Sequence, residues 1–265
     1  MDLGEITIRK AAYGGEAKHP LPWPLVAFPC IAALSLAFTP ADGLQQVESA
    51  GPRTIRFSGY TWEVKSFATK VGPGPNYFSA SARNVWVDAK GRLHLKITYT
   101  NDRWESAEVG SARSFGYGRY EFRLASPVNA TALDPSVVLG LFTWSDDPAY
   151  HNREIDIEFS RWGIADLAKS GSHTVQPWET TGNQRTFSQP SVAPSRHSFT
   201  WRPTSVAFRN SRLPTANWTY SGPDVPVPGG DHARMNLWLF QGRPPTNGRQ
   251  VGIIIERFTF TPLAG

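Results

Sequence analysis

Leu93-His94-Leu95-Lys96-Ile97-Thr98-Tyr99 alternates apolar and polar residues without a break. Successive side chains of a β-strand point to opposite faces, so the three aliphatic residues share one face and the polar residues take the other. An amphipathic helix would instead repeat its apolar residues roughly every three or four positions. The stretch therefore predicts a strand with one buried face.

The same period of two recurs in short runs as far as the C-terminal end, and Gly, Pro, Asn and Asp separate the runs. Further runs cover residues 85–87, 120–124, 205–209 and 235–240, and breakers include residues 71–75 and 225–230. Beyond the first forty or so residues, no twelve-residue window free of Gly and Pro has an apolar stripe of helical period. About a dozen strands at this spacing predict an all-β fold, a two-sheet antiparallel β-sandwich or β-jelly roll.

The composition excludes several classes of protein. The 265 residues include 23 Gly, 22 Pro, 15 Phe, 8 Tyr, 10 Trp and a single Cys. One Cys excludes a disulfide scaffold and a CxxC zinc or redox site. Charged residues make up 18% of the chain and show no heptad pattern, which excludes a coiled coil.

The net charge of +5 raises the question of nucleic-acid binding. The basic residues are scattered singly, however, so we expect no nucleic-acid partner.

Residues 1–43 differ from the rest of the chain. Basic residues precede an apolar run at 25–38, and small residues that suit a cleavage site follow it. As a helix this run would rise about 21 Å, which is short of a bilayer core of about 30 Å. The pattern predicts a secretory signal peptide that contains Cys30, with an uncleaved anchor and a disordered cytosolic leader as alternatives. We expect one domain at residues 44–265, a secreted or periplasmic location and no membrane span after cleavage.

One strand has the composition of a catalytic site. In Glu154-Ile155-Asp156-Ile157-Glu158-Phe159, alternation places three carboxylates on one face and three apolar side chains on the other. Neighbouring carboxylates would stand about 6.7 Å apart at their Cα atoms, and like charges at that range raise one another's pKa values. Enzymes use this effect to keep a carboxylic acid protonated near neutral pH.

The spacing leaves the chemistry of this strand open. The Cα atoms of Glu154 and Glu158 would lie about 13 Å apart. Side chains that lean together could reach the roughly 5–5.5 Å of a retaining glycosidase, and the roughly 6.5–9.5 Å of an inverting enzyme is equally compatible. An acidic solvent face of an outer strand has the same pattern, and an acidic row can also hold a structural cation.

The acidic strand and four other segments resemble glycoside hydrolase family 16. Residues 154–159 are similar to the ExDxE active-site strand of this family, which has a concanavalin-A-like jelly-roll fold and includes lichenases and laminarinases. The other matching segments, in family order, are 115–123 (FGYGRYEFR), 141–144 (LFTW), 197–201 (HSFTW) and 235–238 (MNLW). These segments lie between residues 115 and 238, within a resemblance that covers roughly residues 55–262.

The resemblance implies a role for each acid. Glu154 would be the nucleophile, Glu158 the general acid/base, and Asp156 would position and tune both. The implied activity is retaining, endo-acting hydrolysis of a β-linked glycan such as β-1,3 or β-1,3-1,4 glucan, with a polysaccharide as the partner.

Aromatic and polar residues near these segments are candidates for substrate binding, because a sugar ring stacks on an aromatic face. The resemblance places Asn236 and Trp238 in the cleft and Trp144 at its wall. The loop before the acidic strand lacks the Trp that lichenases often have, which leaves Tyr150 or a neighbouring His to shape this subsite. His173 and Gln176 follow on the next strand, on opposite faces, so that at most one faces the cleft; His173 is the candidate.

Two further functions on the same fold are a lectin-like carbohydrate-binding module and a transglycosylase. The six His residues show no HxH or HExxH spacing, so we expect no catalytic metal and no cofactor. A structural calcium ion occurs on the outer sheet of some relatives, but no Asp-rich ligand loop is evident here. We expect a monomer.

Overall fold

A computed structural model describes residues 52–263 of the chain. The predicted leader at 1–43, Cys30 and the first residues of the domain predicted for 44–265 lie outside the described residues. Within residues 52–263, no helix is long and apolar enough to cross a membrane.

The described chain forms sixteen strands and three short 3-10 helices. The strands are β1 (Thr54–Phe57), β2 (Tyr60–Val64), β3 (Tyr77–Phe78), β4 (Val85–Val87), β5 (Leu93–Thr100), β6 (Arg103–Ser114), β7 (Gly118–Leu124), β8 (Val137–Trp144), β9 (Ile155–Ser160), β10 (Gly171–Val175), β11 (Gln184–Phe187), β12 (Ser195–Arg202), β13 (Ser205–Asn210), β14 (Trp218–Tyr220), β15 (His232–Leu239) and β16 (Val251–Pro262). The 3-10 helices are His151–Arg153, Pro214–Ala216 and Phe240–Gly242.

These strands form two sheets that are joined through the β5–β6 hairpin. The first sheet has the order β11-β10-β9-β8-β15-β6-β2-β1, and the second has the order β4-β5-β16-β7-β12-β13-β14. Every strand pair is antiparallel except the short β3, which runs parallel to β6. The predicted all-β, two-sheet antiparallel jelly roll is confirmed. Four of the five predicted runs lie wholly within strands, and the run 235–240 extends one residue past the end of β15.

Two tight hairpins have residues in the left-handed region at both central positions. Ser58 and Gly59 connect β1 to β2, and Asn101 and Asp102 connect β5 to β6. Two-residue loops with positive φ at both central positions match the right-handed twist of the flanking strands. The second of these turns places β6 beside β5 and so links the two sheets.

The hydrophobic core lies between the two sheets. Trp62 of β2 meets Phe258 of β16 edge to face at 5.1 Å between ring centroids. Phe159 of β9 meets the His197 ring of β12 at 4.8 Å. The apolar face of β9 is thus buried between the sheets, and its acidic face points away from this core.

Candidate active site

Three carboxylates line the face of the first sheet that points away from the core. Glu154 lies immediately before β9, and Asp156 and Glu158 lie within it. Glu154 is partly exposed, whereas Asp156 is 2% and Glu158 is 5% exposed. We call this surface the acidic face; it includes Glu154, Asp156 and Glu158 and the side chains beside them on β6, β8, β10 and β15.

An unusual backbone turn leads into Glu154. The four residues 150–153 all have φ between 50° and 59°, the left-handed region, and none of them is Gly. This conformation costs roughly 1–2 kcal/mol per residue. Such local strain persists only when surrounding contacts fix it, and it occurs often at functional sites.

Arg153 supplies several of those contacts. Its buried guanidinium donates from Nε to the carbonyl oxygen of Val227 at 2.8 Å and from Nη1 to Oδ2 of Asp147 at 3.1 Å. Its own carbonyl oxygen accepts a 2.8 Å bond from the hydroxyl of Thr143. The last residue before Glu154 is therefore fixed from three sides, which fixes the direction in which Glu154 leaves the turn.

The surroundings of Glu154 favour its protonated form. Burial raises the pKa of Glu154 well above its ordinary value, and the negative charge of Asp156 raises it further. Protonated Glu154 also donates a hydrogen bond to Asp156, and the charges of Glu158 and Glu108 act in the same direction. The pKa of Glu154 is therefore raised although part of its side chain is exposed.

Gln176 follows directly after the C-terminal end of β10, and its side chain reaches Asp156. Its Nε2 donates to Oδ2 of Asp156 at 2.9 Å, and its Oε1 accepts from the backbone N–H of Trp178 at 2.9 Å. Both ends of the amide are therefore engaged, which fixes the orientation of the Asp156 carboxylate.

The structure does not bring His173, the β10 candidate for sugar binding, to the acidic face. His173 is 0% exposed and stacks on Phe208 at 4.7 Å in the core between the sheets. The physical reason is the two-residue period of the strand, because His173 pairs with Ile157 on the apolar side of β9. Gln176, not His173, lies beside the row.

A fourth carboxylate lies on the acidic face and was missed in the sequence analysis. Glu108 of β6 is buried, and its oxygens bind Nζ of Lys65 at 3.1 Å and Nη1 of Arg234 at 3.0 Å. Asn236 donates to the same carboxylate at 3.3 Å. A Glu between the apolar residues Ala107 and Val109 was the available signal, but its cations come from distant strands.

Asn236 links Glu108 to the strand next to the acids. Its Oδ1 accepts a 3.1 Å bond from the backbone N–H of Gly140, which pairs across β8 and β9 with Glu158. A Cβ atom on Gly140 would lie 2.5 Å from that Oδ1. A residue without a Cβ atom is therefore required at position 140 for the Asn236 side chain to make this hydrogen bond.

The three aromatic candidates occupy different surroundings. Trp238 is on the same side of the sheet as Asn236, but it is 2% exposed and packs edge to face on Trp162 at 6.3 Å. Trp144 is partly exposed and donates from Nε1 to Oδ1 of Asp146 at 3.0 Å. Tyr150 is 54% exposed, in the left-handed turn next to Glu154. The exposed rings thus lie at the Glu154 end of the row.

The described residues include no metal centre: within 52–263, no group of three or more His, Asp or Glu side chains could hold a metal ion.

Comparison with known proteins identifies the fold. No family model matches the sequence, and no curated protein matches it significantly. Among solved structures, a β-glucanase of Bacillus licheniformis has a TM-score of 0.60 at 17% identity, covering 82% of this chain and 100% of that one. A laminarinase of Flavobacterium sp. UMI-01 has a TM-score of 0.56 at 13% identity, covering 75% and 92%.

A third similar structure, described as an immunostimulatory antigen and pseudo β-1,3-glucanase of Mycobacterium tuberculosis, has a TM-score of 0.56 at 20% identity. It covers 76% of this chain and 91% of that one. At these identities the likeness establishes architecture. The chain therefore has the jelly-roll fold of the β-glucanase structures, with an acidic strand in the first of its two sheets.

Proposed function

We propose that this protein hydrolyses a β-linked glycan, as an endo-acting retaining glycosidase of the family 16 kind. The observation that carries the proposal is the row Glu154, Asp156 and Glu158 on one face of a glucanase-like jelly roll. The printed names of the similar structures, β-glucanase and laminarinase, support a β-1,3 or β-1,3-1,4 glucan as substrate.

The reaction would proceed in two displacements. The Glu154 carboxylate attacks the anomeric carbon while Glu158 gives its proton to the leaving glycosidic oxygen, so the glycosidic bond breaks as the enzyme ester forms. Glu158 then removes a proton from water, the water oxygen attacks the anomeric carbon, and Glu154 is released as a carboxylate. The two carboxyl groups supply both the acid and the nucleophile, so the reaction needs no cofactor.

Asp156 has a specific task in this scheme. Glu154 attacks only when ionised, yet its surroundings raise its pKa. Asp156 accepts the hydrogen bond from Glu154 and lies between the two glutamates, so the proton would leave Glu154 through Asp156 and reach Glu158, which then holds it as the general acid. Gln176 orients the Asp156 carboxylate that would receive it.

Isosteric variants test the proposal directly. Glu154→Gln and Glu158→Gln keep the shape of each side chain, and each should lower the rate of reducing-sugar release from laminarin or lichenan by about a hundredfold or more. Glu63→Gln, at an exposed position on β2, is the matched control and should retain wild-type activity. Wild-type rates in both active-site variants would refute the proposal.

Azide distinguishes the two roles. In Glu154→Ala, azide can occupy the vacated nucleophile side and should give an α-glycosyl azide from an activated β-glycoside. In Glu158→Ala, azide replaces water after the ester has formed and should give the β-glycosyl azide. The reverse pattern would exchange the assignments of the two residues.

A lectin-like function is the second candidate, and burial of the row favours it. Asp156 and Glu158 are almost inaccessible to solvent, and one similar structure is described as a pseudo β-1,3-glucanase. This candidate predicts glycan binding without release of reducing ends. Products longer than the starting oligosaccharide would instead indicate transglycosylation, in which a sugar replaces water as the acceptor.

A polysaccharide substrate also supports an extracytoplasmic location, because such polymers do not cross membranes. Cell fractionation of the full-length chain, with N-terminal sequencing of the mature protein, tests both the location and the predicted cleavage of the leader.

A further inference from the structure

Two adjoining cavities lie at the β5–β6 hairpin, away from the acidic face. Their volumes are about 410 and 710 Å³, and both include Tyr99 and Gln250 in their walls. Trp104 of β6 lies four residues along the strand from Glu108, and Glu108 lies three strands from Glu158. The shelf is therefore about 20 Å from Glu158. We call this surface the hairpin shelf; it comprises the walls of these two cavities.

Three aromatic side chains line the hairpin shelf. Tyr99 is 51% exposed, and its ring lies 5.3 Å from that of Trp104 at an angle of 55°. Trp86 is partly exposed and rests on the ring of His94 at 4.5 Å, nearly parallel. An exposed aromatic face that is supported from behind binds the apolar face of a sugar ring at low entropic cost.

The polar groups of the shelf are of two kinds. Thr100 and Gln250 provide hydroxyl and amide groups, which suit a ligand rich in hydroxyls. Arg83 and Lys96 line the first cavity and Arg249 lines the second, so three cations converge on the shelf.

These cations have no acidic partners. No Asp or Glu lines either cavity, and in the described part of the chain no ion pair includes Arg83, Lys96 or Arg249. Elsewhere on the same protein, exposed arginines such as Arg119 and Arg123 do pair with a carboxylate. Among residues 52–263, the shelf is thus a positive, aromatic surface without a counter-charge.

We propose that the hairpin shelf is a second glycan-binding site, whose ligand is an anionic polysaccharide carrying carboxylate or sulfate groups. Tyr99, Trp86 and Trp104 stack on sugar rings, and the three cations bind the acidic substituents. The site does not depend on the reaction proposed for the acidic face. It would attach the protein to an acidic matrix polymer.

The observations favour a glycan over a single-stranded nucleic acid. Bases stack best on successive parallel ring faces, whereas Tyr99 and Trp104 are inclined by 55°. Hydroxyl and amide groups between the rings also match a polyhydroxylated chain.

Affinity electrophoresis and calorimetry with polygalacturonate and dextran sulfate test the proposal, with neutral laminarin and an oligothymidylate as comparisons. Tyr99→Ala should weaken binding of the acidic polymers roughly three- to tenfold. The double variant Arg83→Ser/Arg249→Ser should weaken binding of the acidic polymers roughly three- to thirtyfold. Binding by the wild type should decrease as the salt concentration increases. The positions are exposed or partly exposed, so melting temperatures should stay unchanged.

Two controls separate this site from the acidic face. Arg202→Ser removes an exposed Arg elsewhere on the second sheet and should bind as the wild type. Glu158→Gln should also bind as the wild type, whether or not it hydrolyses glycan. Equal binding of laminarin and polygalacturonate, tighter binding of oligothymidylate, no binding of either acidic polymer, or unchanged affinity in Tyr99→Ala and the Arg variant would each overturn the proposal.

Discussion

Two histidines in the core between the sheets should make this fold sensitive to acid. His173 lies against Phe187 and Phe208 at 4.7 Å each and is fully buried. His197 is also fully buried, and its Nε2 lies 2.9 Å from the hydroxyl of Ser195. Burial is the main cause that lowers the pKa of each residue to about 3.

The sign of the effect follows from proton binding. The unfolded chain protonates each His below pH 6.5, whereas the folded protein does so only near pH 3. Between these values only the unfolded state gains the proton, so stability is present above pH 6.5 and is lost as the pH falls. At pH 4.5 the loss is about 3 kcal/mol for each His. Two such losses are a large part of the roughly 5–15 kcal/mol that stabilises a typical domain.

Glu154 has the opposite effect, because its raised pKa makes the folded state bind a proton first. A comparison of variants removes this contribution. His173→Leu keeps an apolar side chain of similar size between the two Phe rings. Its free energy of unfolding should fall less than that of the wild type between pH 7.5 and pH 4.5, by up to about 3 kcal/mol.

Urea unfolding followed by tryptophan fluorescence at several pH values gives the required free energies. His151→Asn, which changes an exposed His, should follow the wild-type pH dependence. Parallel pH curves for wild type and His173→Leu would refute the reasoning, because they would mean that His173 is protonated equally in both states.

Three further predictions concern the acidic face. Gly140→Ala should lower activity by displacing Asn236, because the new Cβ would lie 2.5 Å from its Oδ1. Gln176→Leu should lower kcat because it removes the amide donor from Asp156, and the loss of this buried hydrogen bond to a carboxylate should destabilise the fold by about 1–3 kcal/mol. Asp156→Asn removes a negative charge that raises the pKa of Glu154, so the acidic limb of the residual kcat/KM profile should move to lower pH.

Each of these three predictions can be contradicted by a measurement. Wild-type kinetics in Gly140→Ala would mean that activity does not depend on the observed position of Asn236. A Gln176→Leu protein with unchanged kcat but reduced stability would leave the amide a structural role only. If the acidic limb stays in place or moves to higher pH in Asp156→Asn, then Asp156 does not raise the pKa of Glu154.

The strands were predictable because their information is local. The alternation in residues 93–99 and its equivalents reports which face of each strand is apolar, and turn residues such as Ser58-Gly59 mark the ends. The same rule places the three acids on the face opposite Ile157. It also places His173 and Gln176 on opposite faces, but it does not say which of the two faces the acids.

The partners of the acids could not be read in this way, because they come from strands far apart in the chain. Lys65 and Arg234 meet at Glu108 only because β2 and β15 both pair with β6. The hairpin shelf likewise combines β4, β5 and a loop near residue 250.

By itself, the sequence determined the all-β class, the strand that carries the three carboxylates and the face they share, since a two-residue period is a property of the local backbone. Only the tertiary structure decided that burial and Asp156 raise the pKa of Glu154, that Trp238 is packed against Trp162, and that His173 belongs to the core. Burial and charge coupling depend on which strands become neighbours, and that is settled by the packing of the whole sheet.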